Sequence, residues 1–278
     1  MKDVSDSKDN GYIPTVFVFN PLPYRDPGEK FMKTIRDTTF VLMSQLGCPY
    51  GKTGRTVLSL ITTEAVRKQT PHIELGSLAE TFRKLDLAPR GGPRGTIKPV
   101  TDQFHRLANT HVDLSRKVSG SRYRGVQEVH FSFADTLSLY WNTKDSLDNM
   151  PTLFENYLQL SVQCYDYITA HAVPILLGPY FAIQSPREQD LYAWLARRLW
   201  NLETEQLVAW QALYEQFGPL DVHNRPKFRK EVAAYLLDIR ANIYPAARVE
   251  VIADGLVLRP SPPLVEPNSR DPSAGYLP

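Results

Sequence analysis

The chain has 278 residues, a net charge of +2 and an apolar content of 42%. This composition excludes a disordered chain, and no apolar run approaches the roughly 20 residues of a membrane span. The polar N-terminus has no apolar signal core, and the two distant cysteines, Cys48 and Cys164, fit a protein with reduced thiols. We therefore expect a cytoplasmic protein whose length suits two domains of about 130 residues each.

The first half of the chain predicts short helices followed by a β-hairpin. Ser77 and Glu80 have the spacing of a capping box at a helix start, and Ser119-Gly120-Ser121 is typical of a turn. The pattern predicts strands over Thr15–Phe19, Thr38–Ser44 and Ile73–Leu75, helices over Gly51–Gln69, Leu78–Leu87 and Thr96–Leu107, and hairpin strands over His111–Val118 and Gln127–Leu139.

The second half predicts a similar order. Ser185, Pro186 and Glu188 form a complete helix start, with Ser185 as the N-cap and Glu188 three positions later closing a capping box. Asp254-Gly255 is a strong hairpin signal. The predicted elements are a strand over Tyr157–Val162, a helix over Gln163–Ala170, an extended run over Pro174–Leu177, helices from Pro186 to about Leu202, over Val208–Phe217 and over Asn224–Ile243, and hairpin strands over Arg248–Ile252 and Leu256–Arg259.

Three compact helices followed by a hairpin describe a winged helix, in which the third helix enters the major groove of DNA. We therefore predict an α+β, mainly helical fold with two tandem winged-helix domains. The domain boundaries are predicted at residues 12–149 for the first domain and 150–262 for the second, between a disordered tail at 1–11 and a proline-rich tail at 263–278.

The helix over Asn224–Ile243 has an unusual concentration of cations at its N-terminal end and an apolar stripe with spacings of three and four residues. The stripe is formed by Phe228, Val232, Tyr235, Leu236, Ile239 and Ile243. Cations at this end oppose the helix dipole, and a bound anion such as a DNA phosphate offsets the cost. A solvated basic face is the alternative. The candidates for major-groove and phosphate contact are Asn224, Arg225, Lys227, Arg229 and Lys230, with Arg248 and Arg259 on the hairpin.

A second basic stretch runs from Arg83 to Arg124, where ten Lys and Arg residues face three Asp residues, a local charge of +7. This stretch covers the third helix of the first domain and the start of its hairpin, where a winged helix meets DNA. We expect contact here with phosphates more than with bases. The candidates are Arg90, Arg94, Lys98 and Arg106.

No catalytic motif is complete. Gly47 lies one residue too close to Gly51-Lys52-Thr53 for a phosphate loop, and Pro49 removes an N–H from it. The six histidines form no His-x-His pair, and no cysteine pair has zinc-ligand spacing. We expect no enzyme activity, metal or cofactor. A nucleotide hydrolase or an origin-nicking nuclease stays as an alternative that these absences disfavour.

Several stretches resemble plasmid-encoded RepA-type replication initiators. The similarity is strongest over residues 171–265, in HAVPILL, DLYAWLARRL, LVAWQALYEQFG and FRKEVAAYLLDIRANIYPAARVEVIADGLVLRPSPP. It extends to GCPYGKTGRTVLSLITTEAVRKQTPHIELG and GGPRGTIKPVTDQFHRL in the first half, where the GKT departs from the family pattern.

The resemblance implies a bacterial initiator that binds repeated double-stranded sites at a plasmid origin. It further implies that the protein helps to open the origin, recruits the host initiator and replicative helicase, and exists as a homodimer in exchange with a monomer. Dimerisation through the first domain is part of this expectation. A tandem winged-helix transcriptional repressor without initiation activity is the alternative function.

Overall fold

The structure is a computed structural model that describes residues 10–119, 124–140, 155–218 and 225–265. These residues form nine helices and twelve strands. The elements up to residue 119 are β1 (Asn10–Pro14), α1 (Thr15–Phe19), β2 (Lys30–Ile35), β3 (Thr38–Met43), α2 (Gly51–Lys68), β4 (His72–Glu74), α3 (Leu78–Lys84), α4 (Ile97–Ala108) and β5 (His111–Ser119).

The elements from residue 124 onward are β6 (Arg124–Ser132), β7 (Ala134–Ser138), β8 (Tyr157–Leu160), α5 (Val162–Ala170), β9 (Ala172–Leu176), α6 (Leu177–Ala182), α7 (Pro186–Leu199), β10 (Gln206–Ala209), α8 (Trp210–Phe217), α9 (Arg225–Asn242), β11 (Val249–Val251) and β12 (Gly255–Leu258). Helices and antiparallel sheets both contribute, so the fold is mixed as expected. None of the helices in these ranges is long and apolar enough to cross a bilayer.

The chain divides into two compact units. The central unit spans Leu22–Ala170, and the terminal unit combines the residues up to Pro21 with those from His171 onward. This division differs from the predicted boundary near residue 149, which lies outside the described residues. The physical reason is strand pairing, because β1 pairs antiparallel with β9 and so ties the start of the chain to its second half.

Two sheets organise the central unit. The hairpin β5–β6 belongs to a four-stranded sheet in the order β2-β3-β5-β6, whereas β4 joins a second sheet in the order β4-β8-β7. Strand β2 has no counterpart among the predicted elements. The capping box at the start of α3 is confirmed, because Ser77 Oγ accepts from the Glu80 N–H and the Glu80 carboxylate accepts from the Ser77 N–H.

The terminal unit has one continuous apolar core and a small sheet. The sheet has the order β10-β12-β11, with all neighbours antiparallel. Val208 lies in β10, so helix α8 begins later than predicted, at Trp210. The core contains Leu191, Trp194, Leu195, Leu213, Phe217, Phe228, Val232, Leu236, Ile239, Leu256 and Leu258.

The predicted strand over Thr15–Phe19 is wrong, since these residues form helix α1. Its β-branched and aromatic side chains are typical of a strand, but Val16, Phe17 and Val18 are all buried there. Burial on all sides leaves no amphipathic period for a sequence pattern to reveal. Helix α6 was not predicted either and follows β9 directly.

Candidate nucleic-acid interface

Helix α9 lies with one face in the core of the terminal unit. Phe228, Val232, Leu236 and Ile239 are buried at spacings of three and four residues, which is the period of an amphipathic helix. The opposite face is exposed. The predicted apolar stripe is therefore confirmed, and the cations at the N-terminal end of the helix are left on its outer side.

A row of polar contacts fixes α9 against α7 on one flank. The Arg187 guanidinium binds the Glu231 carboxylate and also donates from Nε to the Phe217 carbonyl, 3.0 Å away. One turn further along, the Ser185 and Tyr235 hydroxyls lie 3.1 Å apart. These contacts hold the orientation of α9 through side chains that are not part of its basic end.

The next contact in this row joins two carboxyl groups. Ser185 Oγ accepts from the Glu188 N–H, as predicted, but the Glu188 side chain hydrogen-bonds with Asp238 of α9 instead of completing the predicted capping box. Burial, followed by the neighbouring Asp238 carboxylate, raises the pKa of Glu188 to about 7. Nothing in the sequence pattern indicates this pair, because its members are 50 positions apart.

The two arginines at the start of α9 rest on aromatic rings of α8. The Arg225 guanidinium lies 5.4 Å from the centre of the Tyr214 ring, and that of Arg229 lies 5.6 Å from the Trp210 ring. Both arginines remain exposed. A cation stacked on a ring keeps its hydrogen-bonding edge available, so these contacts orient the guanidinium groups without neutralising them.

The two lysines of this end extend into solvent. The Lys227 side chain is 69% exposed, and its ammonium lies 3.9 Å from the Glu231 carboxylate, which is at the outer limit of an ion pair. Lys230 is exposed one turn further along. Arg225, Lys227, Arg229 and Lys230 thus share one helix end, as predicted, whereas Asn224 lies outside the described residues.

The hairpin β11–β12 packs beside α9. A Cβ atom on Gly255 would lie 2.1 Å from the Val208 carbonyl oxygen, so the close approach of β12 to β10 requires glycine. Trp210 Nε1 donates to the Ile252 carbonyl at 3.2 Å, which links the start of α8 to the hairpin. The predicted Asp254-Gly255 hairpin is confirmed.

The two predicted hairpin cations have different surroundings. Arg248 is exposed. Arg259 places Nε 2.9 Å from the Glu205 carboxylate and Nη1 2.8 Å from that of Glu250. These carboxylates raise the pKa of Arg259 and compensate its charge, which favours a role in joining the three strands of the sheet.

In the central unit, three predicted cations surround the N-terminus of α4. Arg90, Arg94 and Lys98 are exposed there. Thr96 shapes the loop before the helix, since its Oγ1 donates to the Ala88 carbonyl at 2.6 Å and accepts from the Arg90 N–H at 3.0 Å. A Cβ on Gly95 would lie 2.1 Å from the Arg90 carbonyl oxygen, so this tight loop needs glycine.

Arg106, the fourth predicted cation of this unit, is directed inward. Its guanidinium binds both oxygens of Asp26, at 3.0 and 2.9 Å, and donates to the Cys48 carbonyl at 3.2 Å. Nε also lies 2.8 Å from the Asp102 carboxylate, and the group lies over the Tyr50 ring. With its side chain only 13% exposed, Arg106 is occupied by internal contacts, which favours a structural role over the predicted contact with DNA.

The Gly47–Gly51 segment has the hydrogen bonding of an ordinary turn. Its amides donate to protein oxygens, among them Cys48 to the Gly28 carbonyl at 2.8 Å, Tyr50 to Gln103 at 2.9 Å and Gly51 to the Pro23 carbonyl at 2.9 Å. Amides used in this way do not cradle a phosphate. Both cysteines are buried free thiols. Within the described ranges, no group of three His, Cys, Asp or Glu side chains is placed to hold a metal ion.

A family of known proteins matches this chain. The family described as plasmid encoded RepA protein matches residues 48–212, which is more than half of the chain. The chain belongs to the plasmid-encoded RepA family. This confirms the resemblance noted in its sequence and supports a role in starting replication. The matched region of this RepA-family protein runs from the start of α2 to the start of α8 and so ends before α9.

The chain is also similar in fold to solved structures. The crystal structure of domains 2 and 3 of RctB matches with a TM-score of 0.55 and 12% identity, over 91% of this chain and 99% of that chain. Another structure of RctB domains 2–3 matches with a TM-score of 0.45 and 13% identity, over 84% of this chain and 83% of that one. At this identity the first match shows a shared fold. A comparison with curated proteins gave no match.

Proposed function

We propose that this RepA-family protein initiates plasmid replication by binding repeated double-stranded sites at the origin. The observation that carries the proposal is helix α9, whose inner face is core and whose exposed N-terminal end presents four cations. Such an end stabilises bound phosphate and meets guanine edges in the major groove. Membership of the family supports the link to replication.

The proposed architecture of the terminal unit is a winged helix. Its elements follow in the order α7, β10, α8, α9, β11 and β12, and the hairpin pairs through β12 with β10. In that arrangement α9 enters the major groove and the hairpin lies along the backbone. Arg225, Lys227, Arg229 and Lys230 then contact bases and phosphates, with Asn224 preceding them and Arg248 on the hairpin.

The proposal also covers the central unit, where it is limited to contacts with phosphates. Helices α2, α3 and α4 precede the hairpin β5–β6 in the winged-helix order, but β4 pairs with β8 and not with the hairpin. The hairpin instead belongs to a larger sheet. We propose that Arg90, Arg94 and Lys98 contact phosphates here, since their charges are exposed at a helix N-terminus.

The remaining parts of the proposed function concern partners. Binding at the repeats would help to open the origin and recruit the host initiator and helicase in the bacterial cytoplasm. The protein would exchange between monomer and homodimer. It would carry out no chemistry of its own, in keeping with the incomplete phosphate-loop and histidine motifs.

Footprinting of the full-length protein on the DNA next to its own gene tests the proposal. We expect several regularly spaced protected sites, together with support of replication by a plasmid that carries them. A single protected operator over a promoter, without support of replication, would favour the repressor. ATP turnover or a covalent DNA–tyrosine adduct would instead support an enzyme.

A further inference from the structure

The outward face of α9 changes character along its length. The residues opposite the core follow at spacings of three and four positions, and all are exposed: Lys227, Lys230, Ala234, Leu237 and Ala241. The first two side chains are cationic, whereas the last three carry no hydrogen-bond donor or acceptor. The C-terminal half of this stripe therefore cannot read a base edge through a side-chain hydrogen bond.

Leu237 is the most prominent member of the apolar half. Its exposed fraction is 64%, which is large for a leucine. It lines an open groove between α9 and the hairpin together with Val251, which is itself 43% exposed. Scattered exposed leucines are common, but two large exposed apolar side chains in one groove form a small patch that favours an apolar partner group.

Cations flank this patch. Lys227 and Lys230 precede it on the helix, and Arg240 and Arg248 line the same groove beside Leu237. Glu250 lines it too, with its carboxylate paired to Arg259 at 2.8 Å. Arg240 is held in place by a hydrogen bond from Nη1 to the Val249 carbonyl, 3.3 Å away. The groove thus suits a partner that is anionic on its outside and presents small apolar groups between the charges.

Double-stranded DNA with thymine in the contacted positions has this chemistry. Its phosphates are the flanking anions, and the C5-methyl group of thymine is the apolar group that the major groove displays. We propose that α9 selects thymine through Ala234 and Leu237, which makes these two residues specificity-determining. This inference rests on the proposed binding of duplex DNA by α9.

Replacing thymine by deoxyuridine removes only the C5-methyl group and leaves every hydrogen-bonding edge unchanged. Full-length protein would be titrated onto a footprinted duplex and onto duplexes in which single thymines are replaced. We expect affinity to fall about 4-fold at one or two thymines, which corresponds to the burial of one methyl group. Replacement at the other thymines should have no effect.

The variant Leu237→Ala identifies the side chain responsible. It should bind the unmodified duplex several-fold more weakly and should no longer distinguish thymine from deoxyuridine at one of the sensitive positions. Leu207→Ala is the matched control, because Leu207 lies in the same unit on β10 and is 58% exposed. The control should keep the full discrimination, and thermal unfolding should show that both variants are folded.

Two results would overturn the inference while the proposed function stands. In one, the wild-type protein binds its sites but is indifferent to deoxyuridine at every thymine. In the other, Leu237→Ala keeps the wild-type affinity and discrimination, and a loss of self-association in sedimentation would then assign the patch to a protein partner. Failure to bind any duplex from the vicinity of its gene would overturn the proposed function and this inference together.

Discussion

The Arg106 guanidinium binds both carboxylate oxygens of Asp26, a residue 80 positions earlier in the chain. This bidentate pair, supported by the Cys48 carbonyl, ties α4 to the loop before β2. We expect Arg106→Ala to lower the free energy of unfolding by about 2 kcal/mol, because it removes several charge-assisted hydrogen bonds at a mostly buried site. The half-exposed Asp26 is screened by solvent, which keeps the loss moderate.

Denaturant unfolding measures this difference, and Arg90→Ala is the control, since Arg90 is an exposed arginine of the same unit. The pair also holds the pKa of Asp26 below its usual range, mainly through the hydrogen bond from Arg106. The difference in the free energy of unfolding between the wild-type protein and Arg106→Ala should therefore become smaller as Asp26 is protonated below about pH 4. Equal stability of the two variants at neutral pH would contradict the structural role of Arg106.

The Glu188–Asp238 pair predicts a second pH dependence of opposite sign. Burial and the nearby Asp238 carboxylate raise the pKa of Glu188 from 4.5 to about 7. Between these values the folded protein binds more protons than the unfolded chain, so the free energy of unfolding should fall as the pH rises from 4.5 to about 7. Above that range the contribution of Glu188 to the free energy of unfolding no longer changes with pH.

Glu188→Gln removes the titrating group and should flatten this dependence. At pH 8 we expect the variant to be more stable than the wild-type protein, by on the order of 2 kcal/mol. This is less than the pKa shift alone would give, because solvent screens the partly exposed Glu188. Denaturant midpoints measured from pH 5 to pH 8 would show the effect, with Glu203→Gln as an exposed control in the same unit. If the denaturant midpoints of the wild-type protein and Glu188→Gln changed with pH in parallel, protonation of Glu188 would not be linked to stability.

Local patterns in the sequence predict most of the helices, because caps and apolar periods are local. The Ser77–Glu80 capping box and the Asp254-Gly255 hairpin are both where the pattern places them. Strand partners are different. Nothing near β4 indicates that it pairs with β8, more than 80 residues later.

The same limit applies to the candidate interface. A count of charges cannot separate Arg106, which binds Asp26, from Arg90, which is exposed, since the decisive partner is distant in the chain. The aromatic rings under Arg225 and Arg229 belong to Tyr214 and Trp210 of α8, and only the packing shows that they support these cations. Sequence therefore locates the basic end of α9 but does not show how each charge is held.

Arg259 offers a test of whether a cation already paired takes part in DNA binding. Its guanidinium joins Glu205 and Glu250, so its charge is compensated within the protein. We expect Arg259→Ala to leave the salt dependence of DNA affinity unchanged and to lower stability only slightly, because solvent screens exposed ion pairs. A salt slope reduced by about 1 would show that Arg259 contacts a phosphate after all.

The lysines of α9 test the central claim about the interface. Lys227 and Lys230 are exposed at the N-terminal end of α9, and the Lys227 side chain is 69% exposed. If each neutralises one phosphate, replacing both by alanine should reduce the slope of log affinity against log salt concentration by about 2. Fluorescence anisotropy on a footprinted duplex between 50 and 200 mM salt measures this slope. Lys30→Ala is the matched control, because Lys30 is an exposed lysine on a strand of the central unit. The control should keep the wild-type slope.

Since alanine also favours helix, the double variant should remain folded, so a loss of affinity reports on the charges. An unchanged slope in the double variant would mean that the basic end of α9 is a solvated helix end that does not meet DNA.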